Sequence, residues 1–295
     1  MPNDETLLCR LERAWQSLAG LAVGDAFGER FFMVADVSEE IRARVPPEPP
    51  WIWTDDTAMA RSLVRCLDIH AEIVPNTLAR LFAEEYARDP YRGYGGMAHS
   101  ILRQIGRGVS WEKAAGSAFD GMGSYGNGGA MRAAPVGAYF AGNIRQVLEQ
   151  ARLSAMVTHA HAEGQAGAMA VAAAAAWAAQ TESLDGREML EWVRSHTPEG
   201  DTRSGLLQAL AFSFESAPEE AAEALGSGQQ VSAQDTVPFA LWCAARHLDS
   251  YPEALWATVS GLGDLDTTCA IVGGIVVLCA REGIPADWRS ATEAL

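Results

Sequence analysis

The sequence predicts an all-α fold, one compact multi-helix domain with a central buried helix, and three observations carry that prediction. Alanine is very frequent while β-branched residues are scattered, which favours helix over strand. Apolar residues recur at helical spacing through most of the chain, and no run of six alternates as a half-buried strand would. There is no βαβ rhythm, no repeat of solenoid length, and every Gly- or Pro-rich break is brief. The 295 residues approach the size at which one core divides, but nothing reads as a linker, so residues 1–295 are taken as a single domain.

The elements follow in order. Leu7 to Leu21 sets Leu8, Leu11, Trp15 and Leu18 on one face with charges between them. Pro46 to Pro50 is a loop, and a helix over Thr57 to Ile69 continues from an acidic run. Asn76 to Arg88 opens on an Asn cap and closes before Asp89-Pro90. Glycine-rich breaks fall at Gly93 to Gly96 and Gly121 to Gly129, the second before a stretch, Ala130 to Ala138, able to start a helix. Helices are then predicted over Ile144 to Val157, Glu163 to Gln180, Arg187 to Ser195 and Thr236 to His247. The last, Thr267 to Arg281, is almost wholly apolar and is expected to run through the core, with Gly273-Gly274 allowing a neighbouring helix close.

Composition narrows the function. A formal net charge of −16, with no basic stripe, argues against general binding to nucleic-acid backbones, which rests on Lys and Arg. The five cysteines include no CxxC pair and several sit in apolar helical patterns, so free, buried thiols in a reducing compartment are expected. Asp4 and Glu5 stand where a secretory signal would be apolar, and Gly164 to Ala179 is too short and weakly apolar to span a bilayer. A cytoplasmic monomer without membrane partners is the expectation.

Two acidic signatures carry the chemistry. Thr54-Asp55-Asp56-Thr57 and Asp264-Leu265-Asp266-Thr267 each place two carboxylates and hydroxyls just before a helix, some two hundred residues apart. Capping accounts for one Asp or Thr at each helix start. It does not require all of them, and hard divalent cations want such oxygen ligands. Carboxylates crowded at a buried helix mouth would repel unless cations lay between them. Between the signatures lies Gly121-Met122-Gly123-Ser124-Tyr125-Gly126-Asn127-Gly128-Gly129-Ala130-Met131-Arg132. Such a loop suits a phosphate cradle of backbone N–H groups; it is neither a P-loop nor a dinucleotide fingerprint, and as pattern alone a surface turn also accounts for it. Of Thr158-His159-Ala160-His161, one His reads as a hydrogen-bonding pocket residue and the other as a cap or surface group, since no third soft ligand is near. His70, His99, His196 and His247 read as structural, and Trp51 and Trp53 stand out from the other tryptophans because they adjoin Thr54.

Taken in order, these pieces resemble the ADP-ribosylglycohydrolases. Gly20-Leu-Ala-Val-Gly24-Asp25-Ala26-Phe27-Gly28 is similar to the family's opening GxxxGDAxG, Thr54 to Thr57 to its TDDT, and Arg92-Gly-Tyr-Gly95 to its RGYG. Ser124 to Arg132 resembles the SxGNGxAMR loop, especially that of the branch acting on ADP-ribosylserine, and Thr158-His159 the TH pair. Leu225-Gly-Ser-Gly228 resembles a later ligand loop, and Gly263 to Thr267 stands where the family has GDTDT. The resemblance implies an all-helical domain with two Mg²⁺ ions, or Mn²⁺, held by Thr54, Asp55, Asp56, Asp264, Asp266 and Thr267. It implies that Gly123, Ser124, Tyr125, Gly126, Asn127, Gly128, Met131, His159 and Leu225 bind ADP-ribose. Phe119 and Tyr125 are expected to flank the adenine, from their spacing and π-faces. Two departures stand out: Leu265 replaces a usual Thr and should point away from the metals, and Phe32 stands where many relatives carry a Glu, so that either Glu29 substitutes from a shortened loop or the acidic lid is absent.

The reaction implied is hydrolysis of the bond between the distal ribose and an acceptor, an ADP-ribosylated protein or small conjugate; nucleic acid would enter only as such an acceptor. The transition state would be oxocarbenium-like, with Asp55 or Asp56 polarising the water and Glu29 the runner-up acid or base. Two other readings stay open: a non-catalytic ADP-ribose binder or crystallin-like relative, and a Mg²⁺-dependent nucleotide phosphohydrolase.

Overall fold

The computed structural model describes residues 6–34 and 37–295, so Asp4 and Glu5 lie outside the described residues. Its helices are α1 (Leu7–Phe31), α2 (Val37–Ala43), α3 (Asp55–His70), α4 (Pro75–Arg88), α5 (Gly96–Gly106), α6 (Trp111–Gly116), α7 (Ala134–Tyr139) and α8 (Ile144–Met156). The second half carries α9 (Ala162–Ala178), α10 (Gly186–His196), α11 (Asp201–Ala211), α12 (Pro218–Leu225), α13 (Ala233–Arg246), α14 (Tyr251–Ser260), α15 (Leu265–Val276) and α16 (Ala286–Ala291). Among the described residues no strand forms; pairing is limited to isolated bridges at Trp51–Thr292 and Gly126–Ser232.

The centre of the fold is the antiparallel pair α1 and α15. Gly20, Gly24 and Gly28, one turn apart on α1, lie against the backbones of Gly273, Cys269 and Leu265, one turn apart on α15. A Cβ on any of the three would come closer than 3.0 Å to a main-chain atom of α15. Each glycine costs about 1 kcal/mol of helix propensity relative to alanine. The helix forms through them because its buried face packs backbone to backbone. This is why α1 runs to Phe31, ten residues past the predicted Leu21. The close approach expected at Gly273-Gly274 is met by Gly20 and by the side chain of Ala134.

The predicted core helix α15 is buried along almost its whole length but ends at Val276 rather than Arg281. Beyond it the backbone tightens into i→i+3 turns, Leu278 N to Ile275 O and Cys279 N to Val276 O, and Arg281 N then donates to Asp249 O. The alanine-rich α9 is a second buried helix. Helix α4 starts with Pro75 at its first turn and Val74 as the cap, so Asn76 lies inside the helix, where its side chain accepts from Trp111 Nε1 at 2.9 Å instead. Helices α2, α5, α6, α11, α12, α14 and α16 escaped the periodicity reading. Several are short and carry residues that read as breakers in their first turn, Gly96, Pro218 and Pro252 among them.

Trp51 and Trp53, singled out beside Thr54, are buried structural residues. Trp51 stands 5.5 Å from the Phe27 ring and 5.6 Å from Trp288. Trp53 lies under the Arg92 guanidinium, 3.8 Å from its carbon. All five cysteines are free; Cys66, Cys243 and Cys269 are buried, whereas Cys9 is exposed. No helix among the described residues is long and apolar enough to cross a membrane.

Candidate active site

The two acidic signatures meet. Thr54 caps α3 in extended conformation, its Oγ1 accepting from Asp56 N, and the cap sets Asp55 and Asp56 in the first buried turn. On the other side Asp264 and Asp266 begin α15. Carboxylate oxygens of Asp25, Asp56 and Asp266 lie within 4.8 Å of one another. Thr267 Oγ1 donates to Asp56 Oδ2 at 3.5 Å and Thr54 Oγ1 to the same oxygen at 3.1 Å, which ties the two signatures together.

Asp25 is the site residue that sequence reasoning quoted without assigning a role. It sits on α1 beside Gly24, wholly buried, and it organises the front signature. Its carboxylate accepts from Thr54 N at 3.0–3.1 Å, Thr57 N at 3.0 Å and Thr57 Oγ1 at 2.5 Å. The available signal was a lone carboxylate inside an otherwise apolar, glycine-spaced helix. Because Gly24 and Gly28 let α1 touch α15, Asp25 and Asp266 arrive side by side; a Cβ on Gly28 would stand 2.9 Å from the Asp266 Cα.

Electrostatics make this cluster a poor resting place for bare anions. Burial, then repulsion from Asp266 and Asp25, raises Asp55 and Asp56 well above the ordinary carboxylate range. Burial lifts Asp25 to about 6 against hydrogen bonds from Thr57 and Thr54, and Asp266 to about 6 with Asp25 as the next cause. Asp264 rises to about 8, from burial and then Asp266. Asp56 Oδ1 is buried with no hydrogen-bond partner. A buried, orphaned oxygen on a carboxylate grouped with two others is what a cation ligand looks like before its cation, so this donor set fits hard divalent metal. Glu29, one turn past Asp25 on α1, is half-buried and raised by burial and, against Arg30, by Asp264. It stands beside the rear signature but is not among the cleft-lining residues, and Phe32, at the place of the usual Glu, is half-exposed.

The acids floor a cleft of about 510 Å³, within the ordinary range for a small-molecule site. Asp55, Asp56, Asp264, Asp266 and Thr267 line it, and opposite them stand Ser124, Tyr125, Gly126, Asn127, Gly128, Met131 and His159. The glycine-rich loop is anchored rather than free: Asn127 Nδ2 donates to Asp264 Oδ2 at 2.6 Å and to Thr236 Oγ1 at 3.0 Å. Gly123 (φ +78°) is not in the lining; it packs on Ala160 and His161, which leave no room for a Cβ. Phe119 and Tyr125 form an open edge of the cleft, their rings 6.0 Å apart at 25° and both partly exposed. Phe119 (φ +51°) and Asp120 (φ +56°) are left-handed, a strained conformation for non-glycine residues that clusters at ligand sites. His161 caps α9, its Nδ1 accepting from Glu163 N.

Leu225 is a core residue at the end of α12 and does not line the cleft. The loop after it does reach the site. Ser227 O accepts from Asp264 N at 3.0 Å, and Gln230 and Val231 line the cleft. Leu265 packs in the core, away from the acids. Arg132 is fully buried behind the acids, where burial lowers its pKa to about 9 despite Asp55 and Asp56.

A family model for ADP-ribosylglycohydrolase matches residues 7–294. The chain is 30% identical to ADP-ribosylhydrolase ARH3 of Homo sapiens, over 96% of this chain and 90% of that one. It is 31% identical to the Mus musculus protein of the same name, over 94% and 86%. A solved structure, an ADP-ribosylglycohydrolase-related protein complex, shares the fold with a TM-score of 0.68 at 24% identity, covering 97% of this chain and 94% of that one.

Proposed function

The chain belongs to the ADP-ribosylglycohydrolase family and is an enzyme of that kind, and from this premise we propose that it is a Mg²⁺-dependent hydrolase releasing ADP-ribose from ADP-ribosylated protein, serine-linked conjugates first among them. The observation that carries the reading is the convergence of acids from α1, α3 and α15 on one floor, with Asp56 Oδ1 unpartnered, beneath a glycine-rich wall.

Asp25, Asp55, Asp56, Asp264 and Asp266 together carry five potential negative charges, which two divalent cations come nearer to neutralising than one. Thr54 and Thr267 complete the oxygen set. When bound, such ions orient ribose hydroxyls and lower the pKa of a water. The chain's own residues do the remainder. The carboxylates beside the ribose C1 stabilise positive charge developing there as the glycosidic bond lengthens. Asp55 or Asp56 polarises the attacking water; Glu29, beside the rear acids but outside the cleft lining, is the second candidate for proton exchange. The Ser124 hydroxyl, whose oxygen accepts from Gly126 N and whose proton is left to give, would meet the diphosphate, while Phe119 and Tyr125 offer two near-parallel faces to the adenine. Holding the ribose in this way supplies several kcal/mol of the barrier through orientation alone.

The test is a panel of ADP-ribosylated acceptors assayed by mass spectrometry with Mg²⁺, Mn²⁺ or EDTA. Free ADP-ribose should appear only with metal, and Asp56→Asn should abolish it without unfolding the protein. Inorganic phosphate release in place of ADP-ribose, or binding without turnover on every acceptor, defeats the proposal.

A further inference from the structure

In the cleft wall, three side chains form a chain of hydrogen bonds. Arg132, fully buried, donates from Nη2 to Ser154 O at 3.0 Å and to Thr158 Oγ1 at 2.8 Å. Its position is fixed further by Nη1 on Met59 Sδ at 3.4 Å and by the Phe82 ring, 4.5 Å from the guanidinium carbon. Thr158 Oγ1 lies 2.7 Å from His159 Nδ1. A guanidinium only donates, so the threonine oxygen accepts from Arg132 and still has one proton to place. Among the described residues His159 Nδ1 is the acceptor within reach of that proton. Were Nδ1 protonated instead, Thr158, itself buried, would hold an unsatisfied hydroxyl proton.

The ring cannot easily turn to escape this arrangement. A Cβ on Gly128 or Gly164 would lie 3.1 Å from His159 atoms, and one on Gly129 would lie 3.6 Å away, so the imidazole fills the space those glycines leave. With Nδ1 held by Thr158, Nε2 faces Gly126 and Gly128 at the cleft. His159 is only 8% exposed, and among the described residues no hydrogen bond engages its Nε2. Burial and the Arg132 charge also push its pKa down, to about 3.

We propose that Arg132 and Thr158 are positioning residues that lock His159 as the neutral Nε2–H tautomer, so that the ring presents the cleft with one hydrogen-bond donor and no base. The donor would meet an oxygen of the ligand, a phosphate or ribose oxygen under the ADP-ribose reading on which this inference rests. His159 then serves neither as general base nor as metal ligand, since both roles need a bare ring nitrogen on the cleft side.

Long-range ¹H–¹⁵N correlation spectra of histidine-labelled protein test this directly, the His159 ring being assigned by its loss in His159→Gln. Wild type should show a protonated Nε2 and a bare Nδ1, unchanged between about pH 5 and 8. Thr158→Val keeps the shape and removes the hydroxyl; it should give mixed tautomers and bind ADP-ribose about five- to tenfold more weakly by calorimetry. Thr158→Ser should restore both readouts. An Nδ1 proton or an imidazolium in wild type overturns the proposal, as does a valine variant with wild-type tautomer and affinity. Failure of wild type to bind ADP-ribose would defeat the functional reading separately, because the ring spectrum needs no ligand.

Discussion

Replacing Gly24 by alanine tests whether the helix crossing, rather than the acids alone, builds the site. The new Cβ would stand 2.8 Å from the Cys269 carbonyl carbon, and nearer still to its oxygen. Moving that carbon to the 3.4 Å of ordinary contact separates α1 and α15 by 3.4 − 2.8 = 0.6 Å, and the oxygen demands more. Asp25 is the next residue on one helix, and Asp266 lies one turn before Cys269 on the other, so the separation opens the carboxylate cluster directly. Overpacking costs about 1–3 kcal/mol, while alanine returns about 1 kcal/mol of helix propensity, leaving a net loss between about 0 and 2 kcal/mol. Activity should suffer far more, because a misplacement near 1 Å can cost about a hundredfold in rate. The assay pairs thermal melting with ADP-ribose release across a Mg²⁺ titration. Gly116→Ala, where the added methyl meets nothing within 4 Å, is the control and should leave both unchanged. A Gly24→Ala enzyme with wild-type turnover and metal dependence would refute the reasoning.

Three further outcomes follow from the same geometry. Asp25→Asn removes one anionic oxygen from the cluster while leaving an acceptor for the Thr54 and Thr57 amides, so the rise in Tm that Mg²⁺ confers should collapse; an undiminished rise would remove Asp25 from the metal set. Asp25 and Asp266, lifted to about 6, and Asp264, to about 8, make the folded metal-free protein hold more protons than the unfolded chain above pH 4 or so. Its stability should therefore fall as pH rises from about 4 to 8 in EDTA, and Mg²⁺ should offset the fall most strongly at the alkaline end, as paired melting curves would show. Glu293→Gln breaks a bidentate pair with Arg92 (2.6 and 2.9 Å), whose carbonyl accepts from Asp55 N; about 1 kcal/mol of stability and a few-fold loss of turnover are expected, and an unchanged melting curve and rate would show that the Arg92–Glu293 pair does not hold Asp55 in place.

The legible parts were those in which a local pattern carries a local cause. Helical spacing located α1, α3, α4, α8, α10 and α13 because burial favours one face turn after turn, and α9 and α15 because each is an unbroken apolar or alanine-rich run long enough for a buried helix. The acid signatures were legible because capping needs fewer oxygens than they contain. Short helices such as α6 and α16 were not, since six residues span too few turns to show a period. Leu225 was misplaced because a loop motif does not say which of its residues turn inward; Leu225 closes a helix in the core, and Gln230 and Val231 reach the cleft.

Residue chemistry along the chain thus settled the inventory: helices, an oxygen-rich pair of motifs, a glycine-rich loop and a net charge of −16. Which oxygens share one spot was a matter of packing. Asp25 joins Asp56 and Asp266 only because three glycines remove the side chains that would hold α1 off α15, and the facing partners lie more than two hundred residues away. Contacts across such separations depend on the register of two helices, which neither helix encodes alone.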